Sequence, residues 1–165
     1  MNEAKARAFF DNARLLRKTM GIVPLMYGSL GLEYRTGEDL HADDIDILIP
    51  EAFVTDRWPE FRALLEGNGY TLTDEAEHAF EKGGVCFAYA AIEELESFAG
   101  IAPAEIATLY AGNVPFRLLS LEQYLKVYTA SSKDGYRADV RGKKDGEKIA
   151  FIKRLLQKST IEEPR

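Results

Sequence analysis

Tyr27-Gly28-Ser29-Leu30-Gly31, followed fifteen positions after the serine by Asp44-Ile45-Asp46-Ile47-Leu48-Ile49, is the stretch on which the fold turns. Side chains two apart on a strand share a face, so Asp44 and Asp46 project side by side while Ile45, Ile47 and Ile49 enter the core. Two adjacent carboxylates repel, and a divalent cation held by hard oxygen ligands relieves that repulsion. The earlier segment Ile22-Val23-Pro24-Leu25-Met26-Tyr27 reads as a short apolar strand that runs straight into Gly28-Ser29. A helix beginning there leaves backbone N–H groups unpaired at its N-terminus, a geometry that accepts phosphate. Gly28 permits close approach of a ligand, and the Ser29 hydroxyl adds a hydrogen bond.

Working outward, residues 2–20 carry Ala6, Phe9, Phe10, Ala13, Leu16 and Met20 near helical spacing, which predicts an amphipathic helix ended by Gly21. A helix from Gly28 to about Tyr34 is closed by Thr36-Gly37, and a polar loop, Glu38 to Asp43, leads into the aspartate strand, which ends at Pro50. A helix over 58–66 follows, with Trp58 and Phe61 spaced for the core. Strands are expected at 70–73, about 77–81 and 85–90, the last two joined by a tight turn at Lys82-Gly83-Gly84. A second hairpin joins 106–110 to 114–118 around Gly112-Asn113. Ser120 with Gln123 three positions on forms a capping box for a helix over 121–129, and the last helix runs about 145–157. This order predicts an α+β fold with a mixed β-sheet flanked by helices. Residues 1–119 form the core with its N-terminal helix, and 120–165 a helical extension of the same domain.

The whole chain of 165 residues is short for more than one domain and too short for a (β/α)₈ barrel, which needs about 200 residues or more. The formal net charge of -6 and the pI near 5.1 argue against a general DNA- or RNA-coating protein. That charge is uneven: residues 1–116 hold 9 basic and 20 acidic side chains, whereas 117–165 hold 12 and 7. An acidic half that holds metal would then face a basic half that holds phosphate, although a solvated lysine-rich surface is the simpler account of the tail. The single cysteine, Cys86, cannot form an internal disulfide, which suits a reducing cytoplasm. It lies in an apolar run and is expected to be a buried small hydrophobe. His41 and His78 have no zinc-ligand spacing. No segment approaches the roughly 20 apolar residues of a membrane span.

A phosphate cradle beside a metal-binding carboxylate pair is what phosphoryl or nucleotidyl transfer requires. Asp-x-Asp also opens the sites of haloacid-dehalogenase-like phosphatases and many glycosyltransferases. There the apolar strand precedes the acids, whereas here Glu38–Asp43 is polar and the apolar run follows. Neither a P-loop nor a dinucleotide Gly-x-Gly-x-x-Gly pattern is present.

The Gly28-Ser29 turn and Asp44-x-Asp46 strand resemble the signature of the nucleotidyltransferase superfamily that shares its fold with DNA polymerase β. The interval from Ser29 to Asp44 is similar to that of the lincosamide and aminoglycoside nucleotidyltransferases and of abortive-infection toxin relatives. Val114-Pro115-Phe116-Arg117-Leu118-Leu119-Ser120-Leu121-Glu122 resembles a strand and helix start of those relatives, and Lys144-Asp145, followed by Ile149 and Leu155, their closing Lys-Asp helix. The resemblance implies a nucleotidyltransferase-like mixed sheet and Mg²⁺-dependent transfer of a nucleoside monophosphate from an NTP to a hydroxyl. Asp44 and Asp46 would hold the metal, and Gly28 and Ser29 the triphosphate. The acidic balance favours a small molecule or a protein as acceptor.

Catalytic members carry a third carboxylate on a later strand, commonly the general base. Val85–Ala90 contains no acid. Glu93 and Glu94, just beyond it, are the favoured candidates, with Glu96 and Glu77 as further ones; surface positions on a short helix account equally well for the first two. Arg35, near the end of the Gly-Ser helix, and Lys133, Lys143 and Lys144 are candidates for phosphate contact. Asp43 is out of phase with the pair and reads as a loop residue. Without a third acid the same fold would serve as a non-catalytic nucleotide-binding module or a toxin–antitoxin interaction module, with a partner protein or a second copy. A binding domain that takes no nucleotide is the remaining alternative.

Overall fold

A computed structural model describes residues 3–133 and 135–162, with side chains described for 3–133, 144–158 and the backbone alone for the rest of the last helix. The chain order is α1 (Glu3–Met20), β1 (Leu25–Tyr27), α2 (Gly28–Thr36), β2 (Ile45–Ile49), α3 (Trp58–Gly67), β3 (Thr71–Asp74), β4 (Ala79–Lys82), β5 (Val85–Ala91), α4 (Glu94–Ala99), β6 (Ala107–Ala111), β7 (Val114–Leu118), α5 (Leu121–Lys133) and α6 (Gly135–Glu162), with short 3₁₀ turns before α3 and β6. The strands form a seven-stranded sheet in the order β3-β4-β5-β2-β1-β7-β6. β2 lies parallel to β5 and antiparallel to β1, and β1 lies parallel to β7, so the sheet is mixed. The expected α+β class is the one observed.

Local chemistry explains most boundaries. Gly21 (φ 67°) turns the chain at the end of α1, and its amide bonds the Arg17 carbonyl. β1 starts three residues later than the apolar run because Pro24 has no N–H; its carbonyl accepts the Arg117 amide. Gly37 (φ 78°) ends α2 with its amide on the Glu33 carbonyl at 2.7 Å. Gly83 and Gly84 both have positive φ, 59° and 76°, as a two-residue hairpin of the primed type demands. Ser120 and Gln123 make the reciprocal capping box at 3.0 and 3.1 Å. α6 begins ten residues before the expected start. Gly135 and Gly142 and the polar run between them hide it, and packing against α5 offsets the cost of about 1 kcal/mol for a mid-helix glycine.

The sheet is packed on both faces. On one side Ile45, Ile47 and Ile49, each fully buried, meet Phe9, Phe61, Phe80 and Tyr89 beneath α1 and α3. Trp58 and Phe61 belong to this core as expected, with Trp58 edge-on to His78 and Phe61 to Tyr89. On the other side Leu25, Leu48 and Ile92 meet Leu95, Tyr124, Tyr128 and Ile152 from α4, α5 and α6. Burying a large apolar side chain contributes about 1.5–3 kcal/mol, so these two layers dominate folding. Cys86 is exposed, contrary to expectation: strict alternation on β5 sends Phe87 and Tyr89 into the first core and turns Cys86 to the opposite face. Among the described residues, no helix is long and apolar enough to cross a membrane.

Candidate functional site

Strand register brings the two sequence signatures together. Tyr27 pairs with Asp46, so the residue that follows, Gly28, lies against the aspartate side chain. Gly28 has φ 62°, and a Cβ there would stand 2.6 Å from Asp46 Oδ2 and 3.3 Å from its Cβ and Cγ. Only glycine fits, for both backbone and space. One turn on, a Cβ at Gly31 would stand 2.3 Å from the Met26 carbonyl and 2.1 Å from the Tyr124 hydroxyl, so α2 is clamped against β1. The Tyr124 hydroxyl donates to the Gly28 carbonyl at 3.1 Å. Complete burial, with neighbouring Tyr128 and Tyr27 adding to it, holds the Tyr124 phenol well above its ordinary pKa, so it stays a donor.

These residues line a cavity of about 430 Å³. Gly28, Ser29 and the N-terminus of α2 form one wall, and Asp43, Asp44 and Asp46 another. Asp44 is exposed and Asp46 half-buried, and Ala88 of β5 sits beside Asp46 in register. The far wall comes from α5 and α6. Ser131 Oγ donates to Asp145 Oδ2 at 2.8 Å, and both residues are buried. Asp145 thereby pins α6 to α5, and one turn later on the same face Lys148 reaches back to donate to Ser29 Oγ at 2.9 Å. Its ammonium also lies 5.0 Å from the centre of the Tyr128 ring.

The structure gathers Gly28, Ser29, Asp44 and Asp46 as the sequence suggests, and Asp43 joins them. It does not bring Glu93 or Glu94 to the cavity. Both lie beyond the carboxyl ends of β2 and β5, where Ile49 pairs with Ala91, whereas Asp44 is at the opposite end of β2. Glu93 Oε1 instead accepts the Glu51 amide at 3.0 Å. Arg35 is likewise elsewhere: its Nε donates to the Leu119 carbonyl at 3.0 Å and ties the end of α2 to the chain after β7. Lys133 is exposed at the end of α5, on a separate groove with Ser97 and Lys126. Lys144 is exposed, and the Lys143 side chain lies outside the described residues. The cavity is lined instead by Glu77, one of the further acids the sequence offers, and by Lys148, which the sequence did not single out. Lys148 carries no local signal beyond its place three residues after Asp145. Glu77, in the turn before β4, reaches the cavity rim because that turn folds over Ala88, the partner of Ala79.

Asp44 and Asp46 offer only carboxylate oxygens, the donors that suit Mg²⁺, and the missing side chain at Gly28 leaves room around Asp46 Oδ2 on the cavity side. Among the described residues there is no cluster of three His, Cys, Asp or Glu side chains close enough to hold a metal by themselves. Two carboxylates fill only part of a six-oxygen shell, which waters, or the oxygens of a ligand when one is bound, would complete.

Comparison with known proteins identifies one relative by sequence. The chain is 36% identical over 149 residues to the uncharacterized protein YnaI of Bacillus subtilis (strain 168), a match covering 90% of this chain and 96% of that protein. It belongs to the YnaI family. No family model matches. Among solved structures, the solution structure of the antibiotic-resistance factor ANT(2'')-Ia aligns with a TM-score of 0.48 at 14% identity, over 95% of this chain and 94% of that one. The crystal structure of ANT(2'')-Ia in complex with adenylyl-2''-tobramycin aligns with the same score and identity, over 93% and 97%.

Proposed function

We propose that the protein transfers a nucleoside monophosphate from an NTP, with Mg²⁺, to a hydroxyl of a small molecule or protein. The reading rests above all on one observation: the N-terminus of α2, Ser29, Lys148 and the Asp44–Asp46 pair face one cavity. A bound Mg²⁺ would neutralise triphosphate charge and orient the reacting oxygens. Asp44 and Asp46 hold it. The α2 amides and Ser29 receive the outer phosphates, and Lys148, already on Ser29, moves its donor to a phosphate oxygen at little cost in order. Glu77 is the carboxylate at the rim that takes the acceptor hydroxyl's proton. That oxygen bonds to the α-phosphorus as the bond to the β-phosphate breaks, so that pyrophosphate leaves from the α2 amides and Ser29.

A second reading is favoured by Ala88, a methyl group where β5 faces Asp46. On that reading the cavity binds an NTP without turnover, as a nucleotide-responsive interaction module. Incubation of the protein with Mg²⁺, each labelled NTP and hydroxyl acceptors separates the two. Nucleotidylated product that disappears in Asp44→Asn and Asp46→Asn is expected. Saturable NTP binding with no product in any acceptor pool leaves the second reading, and turnover that survives loss of both carboxylates refutes the first.

A further inference from the structure

The loop Glu38–Asp43 that delivers the aspartates contains a strained residue, His41, with φ 55°. Such a loop keeps one conformation only if its surroundings over-determine it. Glu33 does this. It is completely buried on α2, and its Oε1 accepts both the Leu40 amide at 2.9 Å and the Ala42 amide at 3.0 Å. Lys5 of α1 donates to the Ala42 carbonyl. Asp39 adds a local Asx turn, with Oδ1 accepting the His41 amide at 2.9 Å. Asp44 follows two residues after Ala42.

Ser29 and Glu33 are one helical turn apart on the same helix. α2 therefore presents the Gly-Ser turn at its N-terminus and, one turn later, fastens the chain that ends in Asp44. A buried carboxylate is costly unless satisfied, and here the amides of the loop help to satisfy it.

We propose that Glu33, assisted by Lys5, is a positioning residue that sets the Asp44–Asp46 pair against the Gly28-Ser29 turn, so that metal affinity depends on a side chain that never touches the metal. This inference rests on the functional reading above. Outer partners that orient metal ligands typically contribute roughly 10–100-fold in affinity, and Glu33 acts on the ligands through the backbone in the same sense.

Mn²⁺ titration followed by electron paramagnetic resonance, on the full chain without nucleotide, tests it. Glu33→Ala is expected to weaken Mn²⁺ binding about tenfold or more. Glu33→Gln, which keeps an oxygen for the two amides, should recover most of that loss. In an Asp44→Asn background, Glu33→Ala should add no further loss, because the ligand it positions has gone. Should Glu33→Ala not fold, Lys5→Met removes the second hold from a surface helix and should weaken Mn²⁺ binding in the same direction, at an unchanged fold by circular dichroism. Wild-type affinity in folded Glu33→Ala, or in Lys5→Met where that variant stands in, overturns the proposal. Wild-type protein that binds no Mn²⁺, or Asp44→Asn and Asp46→Asn variants that bind it unchanged, overturns the functional reading and the positioning role with it.

Discussion

Replacing Gly28 by alanine separates what the site needs from what the fold needs. Two effects follow from the local geometry. The left-handed backbone, φ 62°, costs an L-residue about 1–2 kcal/mol. The new methyl would also stand 2.6 Å from Asp46 Oδ2, so the carboxylate must retreat by about 0.8 Å to reach ordinary contact. Gly21 provides the control, since it has φ 67° and a methyl group there would meet nothing within 4 Å. Gly21→Ala should thus lose about 1–2 kcal/mol of stability and no function. Gly28→Ala should lose a similar amount of stability and, in addition, roughly tenfold to a hundredfold in Mn²⁺-supported activity, the scale on which displacement by up to an ångström acts. Urea denaturation measures the first quantity, and turnover or Mn²⁺ binding at 25 °C the second. Equal function in the two variants would refute the view that Gly28 exists to make room for Asp46.

Lys148→Met keeps most of the side chain's volume and removes the charge, so the NTP concentration for half-maximal binding should rise about tenfold or more while the melting temperature stays within a few degrees; unchanged nucleotide affinity would count against a phosphate role. Ser131→Ala leaves the buried Asp145 without its hydroxyl donor and should cost about 1–3 kcal/mol by urea denaturation, with a loss below about 0.5 kcal/mol arguing that the pair does not fasten α6. Alkaline titration tests burial of the tyrosines. Tyr89 and Tyr124 are held well above the usual phenol range, chiefly by burial, so the folded state binds protons that the unfolded chain releases. Stability should be fully present below about pH 10, the unfolded value, and fall as pH rises past it. Phenolate absorbance from these two should therefore appear only with unfolding, and early ionisation of all eight tyrosines in folded protein would contradict their placement.

Alternation and turn chemistry are local, and for that reason they were legible. Ile45, Ile47 and Ile49 announce a strand with one apolar face, and Asp44 and Asp46 necessarily fall on the other. Gly83-Gly84 and Ser120 with Gln123 specify a hairpin and a helix start within four residues each. Such signals carry the element order and the α+β class. Tertiary structure decided the rest. Strand order put Ala88 beside Asp46 and left Glu93 at the wrong end of β5, although both sit on or just after one strand. Arg35 found a backbone carbonyl 84 positions away, and Lys133 an outer groove. Lys148 reached Ser29 across 119 positions because Asp145 is fixed to Ser131. Glu33, an inconspicuous acid inside a short helix, proved to be buried and to hold the loop before Asp44. A side chain's neighbours along the chain are set by covalent geometry, but its neighbours across the sheet depend on how whole layers pack. The sequence by itself therefore named the carboxylate pair and the turn, and only the packed molecule could say which lysine and which acids stand beside them.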